Sequence, residues 1–333
     1  MKRIFPTLFA LILALSFFTG CGQTVQNNVN NNVNNVPDDE DKLSVVSTIF
    51  PGYDFTREIA GETVSLSMLL PPGSESHSFE PTPQDIIKIQ NCDVFIYIGG
   101  ESDAWVEGIL DSIDTSGMTI LSMMDLVDVV EEKIKEGMED DEHGHDDEHD
   151  EEHETEQAEY DEHVWTSPIN AIRITKAITD TLCALDGKNA GIYQANRAAY
   201  TDKLERLDAS FREVVQSAGR DTLIFGDRFP FRYFVDEYGL DYFAAFPGCS
   251  AETEASAKTV AFLIDKVNAE NIPVVFHIEF SNEKMADTIC ESTGAKKLLL
   301  HSCHNVTKSN FENGVSYLEL MAQNLENLRE ALT

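Results

Sequence analysis

A long, uninterrupted helical pattern in the middle of the chain most constrains the fold. Residues 188–218 place apolar or small side chains at helical spacing, contain no proline and have only one early glycine, Gly191. One helix of about 30 residues would be about 45 Å long. Because most globular helices are shorter, this segment predicts a helix long enough to run the length of two domains.

Short apolar runs alternate with helical segments on both sides of this helix. Strands are predicted at 43–50, 64–70, 94–98, 118–121, 222–225, 240–246, 274–278 and 297–300. Helices are predicted at 53–60, from residue 83, and at 104–113, 167–185, 231–238, 256–270, 282–292 and 314–332. Such alternation is typical of parallel sheets with helices on both faces. The chain therefore predicts an α/β fold of two parallel-sheet lobes, with a ligand cleft between them at the carboxyl ends of the strands.

The first 42 residues differ in composition from the rest. A basic start and an apolar stretch at 4–18, too short for a typical membrane span, precede Cys21. Residues 1–20 resemble a bacterial lipoprotein signal cut before Cys21, whose thiol would carry the lipid. An ordinary signal peptide cut nearby is the alternative. Asn-rich residues 21–42 predict a flexible tether, so we expect an extracytoplasmic lipoprotein of a bacterium, anchored to the membrane without spanning it.

An acidic run separates two parts of the first lobe. The formal net charge of the chain is −35, which excludes nucleic acid as an expected partner because phosphates would be repelled. Such a charge suits attraction of cations. The run at 139–162 contains four histidines, His143, His145, His149 and His153. A tract rich in histidine and acid predicts weak, accessory metal binding, and a disordered loop kept for solubility is the alternative.

These features give a complete set of predicted boundaries. They are 1–20 for the signal, 21–42 for the tether, 43–138 for the first lobe, 139–162 for the acidic loop, 163–187 for the end of the first lobe with a helix, 188–218 for the connecting helix and 219–333 for the second lobe.

Cysteine usage agrees only partly with an oxidising compartment. The chain has six cysteines, and lipidation of Cys21 would leave Cys92, Cys183, Cys249, Cys290 and Cys303. An odd number cannot all pair within the chain. A disulfide in the second half, involving Cys249 or Cys303, is one alternative. No CxxC motif is present, so a cysteine-based zinc finger is not expected.

The histidines outside the acidic run fall where a cleft is expected. His77 lies in a loop after the second strand, His163 closes the acidic run, and His301 and His304 follow the last strand. His277 lies within a strand and is interpreted as structural. Imidazole is a common ligand of zinc, copper and nickel. In a chain with nine histidines, several at strand ends predict a shared metal site.

Motifs in a fixed order connect these histidines. They are SHSFEPTP at 76–83, DEHVWTSP at 161–168, the long helix with Tyr193, Asn196, Tyr200 and Leu204, and GVSYL at 314–318 followed by Met321 and Asn324. From residue 43 to the C-terminus this order resembles the zinc/manganese solute-binding proteins of ABC transporters. The resemblance implies two α/β lobes, a rigid connecting helix and a metal between the lobes. Zinc-type members often carry a histidine- and acid-rich loop before the second ligand.

The resemblance also implies a ligand set. His77 matches the first ligand of the family and His163 the second. The third, His or Glu, falls on Arg228, which cannot ligate a metal because its guanidinium stays protonated. The fourth position matches His301. The implied set is His77, His163 and His301, with Asp227 as a weaker fourth ligand and Glu279 in reserve.

The function implied by the resemblance is metal capture without catalysis. A monomer would bind Zn²⁺ outside the cell and deliver it to an ABC permease and its ATPase. A manganese or iron binding protein of the same fold is an alternative. A zinc hydrolase with Glu279 as base is another, although neither HExxH nor a nucleophile elbow is present. A surface zinc buffer or cell-adhesion protein without a transporter is the third.

Overall fold

The computed structural model describes residues 42–75, 79–139, 159–250 and 254–333. The expected signal, tether and lipidated Cys21 lie outside these ranges, as do His77 and the four histidines of the acidic run. Within the described ranges, no helix combines the length and apolar character needed to cross a membrane.

The first half of the chain forms a parallel four-stranded sheet. Its strands are β1 (Leu43–Ser47), β2 (Val64–Met68), β3 (Val94–Tyr97) and β4 (Thr119–Ser122), in the order β2-β1-β3-β4. Its helices are α1 (Phe50–Ala60), α2 (Pro83–Gln90), α3 (Ala104–Leu110) and α4 (Pro168–Leu185). Thr82 begins α2 with a capping box to Asp85, which satisfies backbone donors that the first turn leaves unpaired.

The second half repeats this arrangement. Its strands are β5 (Thr222–Phe229), β6 (Asp241–Pro247), β7 (Val274–His277) and β8 (Lys296–Leu299), all parallel, in the order β6-β5-β7-β8. Its helices are α6 (Arg232–Tyr238), α7 (Ala257–Glu270), α8 (Lys284–Thr293), α9 (Lys308–Glu312) and α10 (Tyr317–Leu332). The predicted two-lobed α/β fold is confirmed.

One long helix, α5 (Ala190–Gln216), contacts both halves. Near its start, Asn196 Nδ2 donates to Ile59 O at the end of α1, at 2.9 Å. Near its end, Phe211 packs against Phe234 of α6 with ring centroids 4.9 Å apart. At 27 residues the helix is about 40 Å long. The predicted connecting helix is therefore present and slightly shorter than expected.

The chain also crosses between the halves on either side of the acidic run. After β4, Val130 N donates to Tyr233 Oη at 3.3 Å, and Glu139 N donates to Ala245 O of β6 at 2.8 Å. On the return, Glu132 N donates to Glu159 O at 2.8 Å. Both ends of the run are thus attached to folded structure beside the second sheet.

One hydrophobic cluster spans the two halves, and each half also contains a smaller cluster of its own. Buried side chains of both sheets, of α5 and of α10 form a single cluster. At its centre Trp165 is fully buried; its Nε1 donates to Ser302 O at 2.8 Å, while Tyr317 Oη donates to its carbonyl at 2.7 Å. The five cysteines of the described ranges are free thiols. A disulfide through Cys249 or Cys303 is therefore not formed.

Candidate metal site

A pocket lies between the two halves at the carboxyl ends of the strands. Glu75 follows β2, Gly248 follows β6 and Glu279 follows β7. The residues that line the pocket from both halves include Glu75, His163, Arg228, Gly248, Glu279 and His304. This is the position expected for a ligand site in open parallel sheets.

His163 is the most firmly held imidazole of the pocket. Asp161 Oδ1 accepts from the backbone N of His163 at 2.8 Å and lies 3.1 Å from its ring Nδ1. Gly248 packs against the ring so closely that a Cβ there would lie 3.2 Å from it. Asp161 takes the Nδ1 side, so a cation would meet Nε2. Carboxylates that orient metal-binding histidines in this way also raise their basicity.

The electrostatic surroundings of His163 favour positive charge. Burial alone would lower the pKa of this imidazole, but the nearby carboxylates of Asp161, Glu162 and Glu132 outweigh burial and raise it. The side chain is 1 % exposed. Glu162 is itself held by the backbone N of Ser102 at 3.0 Å. A cation that binds here meets fixed negative charge, and it must also displace a proton at low pH.

His304 faces His163 across the pocket. Their ring centroids are 5.7 Å apart and their planes are nearly perpendicular, and Trp165 packs against His304 at 4.9 Å. The backbone N of His304 donates to Glu279 Oε1 at 3.3 Å. Cys303, just before it, has a φ of +62°. This left-handed conformation, uncommon for a residue other than glycine, lies in the turn that carries His304.

His301 lies behind this pocket and does not line it. Its Nδ1 accepts from the backbone N of Cys303 at 3.0 Å and lies 3.4 Å from Glu279 Oε1. Its backbone exchanges two hydrogen bonds of 2.7 Å with the Asn324 side chain. The structure therefore brings His304, and not His301, next to His163.

The two carboxylates considered as ligands hold loops in place. Glu279 accepts from the backbone N of Ser302 at 2.7 Å and from its hydroxyl at 2.6 Å. Asp227 accepts from the backbone N of Arg228 at 2.9 Å and of Ile278 at 3.1 Å. Asp227 lines a neighbouring cavity of about 230 Å³, and burial raises its pKa.

Arg228 brings a permanent positive charge to the pocket. Its Nη2 lies 3.0 Å from Glu75 Oε2, and its Nη1 donates to Ser250 O at 3.3 Å. Within the ranges that the structure describes, no three His, Cys, Asp or Glu side chains are close enough to hold a metal ion. His77 lies outside those ranges, two residues after Glu75.

Two pocket residues, His304 and Glu75, were not among the predicted ligands, although His304 was noted among the histidines at strand ends. The segment His301-Ser302-Cys303-His304 presents two imidazoles, and residue types do not decide which one faces the pocket. The backbone conformation of Cys303 and the contacts of Glu279 decide it. Glu75 carried no signal of its own, since its partner Arg228 lies 153 residues further along the chain.

Two parallel-sheet lobes, a helix common to both and an imidazole-lined pocket at the strand ends define a bilobed ligand-binding protein with a candidate metal cleft. A family model described as zinc-uptake complex component A, periplasmic (ZnuA), matches residues 45–331. The chain belongs to this family, which confirms the resemblance seen in its motifs.

Individual relatives agree with this assignment. The high-affinity zinc uptake system protein ZnuA of Bacillus subtilis is 33% identical over 292 residues, 88% of each chain. The zinc-binding lipoprotein AdcA of Streptococcus pneumoniae is 30% identical over 290 residues, 87% of this chain and 56% of the relative. The present chain thus spans little more than half the length of AdcA.

Two solved structures are similar over nearly their whole length. The Zn(II)-bound ZnuA-like domain of S. pneumoniae AdcA has a TM-score of 0.70 and 27% identity, covering 87% of this chain and 99% of that one. The metal-dependent lipoprotein YcdH from B. subtilis has a TM-score of 0.71 and 29% identity, with the same coverage.

Proposed function

We propose that this protein captures Zn²⁺ outside the cell and delivers it to an ABC permease driven by its ATPase. Membership of the zinc-uptake family and the zinc-binding names of its relatives support this proposal. The single observation that carries it is the pair His163 and His304, which face each other in the pocket between the lobes.

The proposed ligands are His163, His304 and His77. Asp161 fixes the ring of His163, and the turn anchored by Glu279 fixes His304. His77 is proposed from the family resemblance and from the position of Glu75 beside the same pocket. His301 and Asp227, which the resemblance implied as ligands, are instead proposed to support the loops around the pocket.

Nitrogen ligands favour zinc in this proposal. Imidazoles suit Zn²⁺, whereas carboxylate and carbonyl oxygens suit Mn²⁺. Manganese capture would need more oxygen ligands, and the Asp227 and Glu279 carboxylates already accept backbone hydrogen bonds. For the same reason Glu279 is poorly placed as the base of a hydrolase. Binding without catalysis fits the metal-transport family of the chain.

The remaining parts of the chain have supporting roles in the proposal. Cys21 would carry a lipid that holds a monomer at the outer face of the membrane. The acidic run would bind zinc weakly and raise its concentration near the pocket. Both ends of the run are attached beside the second sheet, which supports this role.

Zinc titration of the full chain tests this function. A competing chelator reports only tight binding, so weak binding by the acidic run does not interfere. We expect one tight zinc, weakened about 100-fold or more by His163→Ala or His304→Ala, since each removes a ligand. His301→Ala is expected to weaken it less. His277→Ala, outside the pocket, is the matched control, and absence of tight zinc in the unaltered protein would refute the proposal.

A further inference from the structure

The ion pair between Glu75 and Arg228 joins the two lobes across the pocket. Glu75 belongs to the loop after β2 and Arg228 to β5, and both line the pocket with His163 and His304. The Glu75 Oε2 to Arg228 Nη2 distance is 3.0 Å. A guanidinium keeps its proton at any physiological pH, so this pocket contains a fixed positive charge where a divalent cation is expected.

The two partners differ in how deeply their side chains are buried. The Arg228 side chain is 8% exposed, and its Nη1 donates to Ser250 O. The Glu75 side chain is 35% exposed. The backbone before Glu75 is held, because Asn305 Nδ2 donates to Ser74 O at 2.8 Å. The Glu75 side chain, which is the more exposed of the two, can therefore move while the backbone before it stays in place, whereas Arg228 is buried and held by Ser250 O.

Electrostatic forces favour movement of the Glu75 carboxylate from Arg228 to a bound cation. A divalent cation at the imidazoles would repel Arg228 and attract the nearby carboxylate. Carboxylate oxygen is also a regular ligand of zinc, at about 2.0–2.2 Å. Leaving Arg228 costs Glu75 the charge-assisted hydrogen bond to the guanidinium, which a bond to the cation can replace.

We propose that Glu75 exchanges between Arg228 and the captured divalent cation, so that it is an oxygen ligand of the loaded site and Arg228 is its competitor in the empty one. This inference rests on the proposed zinc capture and adds a ligand and a device that limits affinity. Arg228 would keep binding weaker than the same ligands could give, which favours release of the ion to the permease.

Single and double substitutions of this pair test the exchange. Zinc affinity of the full chain is measured by chelator competition for Glu75→Gln, Arg228→Gln and the double variant. Glu75→Gln is expected to weaken binding about tenfold and Arg228→Gln to tighten it about tenfold. Removal of Arg228 is expected to tighten binding less in the Glu75→Gln background than in the unaltered protein. In that background it relieves only the repulsion by Arg228, because no carboxylate remains for the guanidinium to compete for. The exposed pair Lys296–Glu330 provides the control, with Lys296→Gln and Glu330→Gln expected to change affinity less than twofold.

The directions of the two affinity changes distinguish exchange from an ion pair that only connects the lobes. If the pair only held the lobes together, both single substitutions would weaken zinc binding equally, and the proposal would be wrong. Co²⁺ absorption gives a second readout, because Glu75→Gln should alter the visible spectrum by removing an oxygen ligand. An unchanged spectrum would refute ligation by Glu75. If Arg228→Gln does not fold, the double variant, which buries no unpaired charge, must still show the same change in the Co²⁺ spectrum as Glu75→Gln.

Failure of the inference and failure of the proposed function look different. If the unaltered protein has no tight zinc, both the proposed function and the exchange are refuted. If tight zinc is present but Glu75→Gln has no effect, zinc capture stands and only the exchange is refuted.

Discussion

Replacing Asp161 with asparagine should separate the orientation of His163 from its charge. Asp161 Oδ1 lies 2.8 Å from the backbone N and 3.1 Å from the ring Nδ1 of His163. Asparagine keeps the shape and removes the negative charge. Loss of a carboxylate that orients a ligating histidine costs about 10- to 100-fold in metal affinity, or about 1.4–2.7 kcal/mol. We expect zinc affinity at pH 8 to fall by this amount.

The same substitution should make zinc binding less sensitive to low pH. The carboxylates around His163 raise its pKa, and zinc binds only the neutral ring. In the unaltered protein, affinity should therefore fall as pH drops through this raised pKa. Asp161→Asn lowers the pKa, so its loss of affinity should begin at a lower pH.

Chelator competition between pH 5 and pH 8 measures both effects. Asp180→Asn on the exposed face of α4, where Asp180 pairs with Lys176, is the control for removing one carboxylate. An Asp161→Asn profile that is parallel to that of the unaltered protein would refute the role of Asp161 in proton competition. An unchanged affinity at pH 8 would refute its role in orienting the ring.

Other perturbations test the fold and the acidic run. Burial raises the pKa of Asp103 to about 7, so the folded state holds a proton that the unfolded state releases near pH 4, and stability should fall as pH rises between these values; Asp103→Asn should flatten that part of a plot of melting temperature against pH. Gly226→Ala should lower the melting temperature by several degrees, because its Cβ would lie 2.6 Å from the Ala286 backbone, whereas Gly187→Ala, which meets nothing within 4 Å, should not. Deleting 140–158 should leave the tight zinc affinity within twofold, as a competition titration would show, and a larger loss would place a tight ligand in the run.

Much of the fold could be predicted because the strands are apolar runs bounded by turn residues. All eight predicted strands are present, and the long helix differs by two residues at each end. The short helix α9 was not predicted, since five residues carry too little periodicity to detect. The register of the strands could not be predicted either. Parallel strands buried on both faces lack the alternation of apolar and polar residues that would fix it.

The site was harder to predict than the fold. The sequence identified the segment that contains His163 and the one that contains His304. A histidine in a loop beside a predicted strand end is expected to lie at the edge of the sheet. The choice between His301 and His304 depends on one left-handed residue, Cys303. The ion pair of Glu75 with Arg228 depends on two loops from different lobes, which no local pattern connects.

The crossing segments have a mechanical consequence. The chain leaves the first lobe along 127–139, returns at 159–161 and crosses again through α5, with hydrogen bonds at each passage. A hinge formed by a single chain crossing allows two lobes to rotate relative to each other. Several crossings at separate points prevent most of these rotations. Overall dimensions should then be nearly equal with and without cargo. A permease that recognises the loaded protein would have to read the few side chains around the cleft mouth, since the outline of the molecule would look the same in both states.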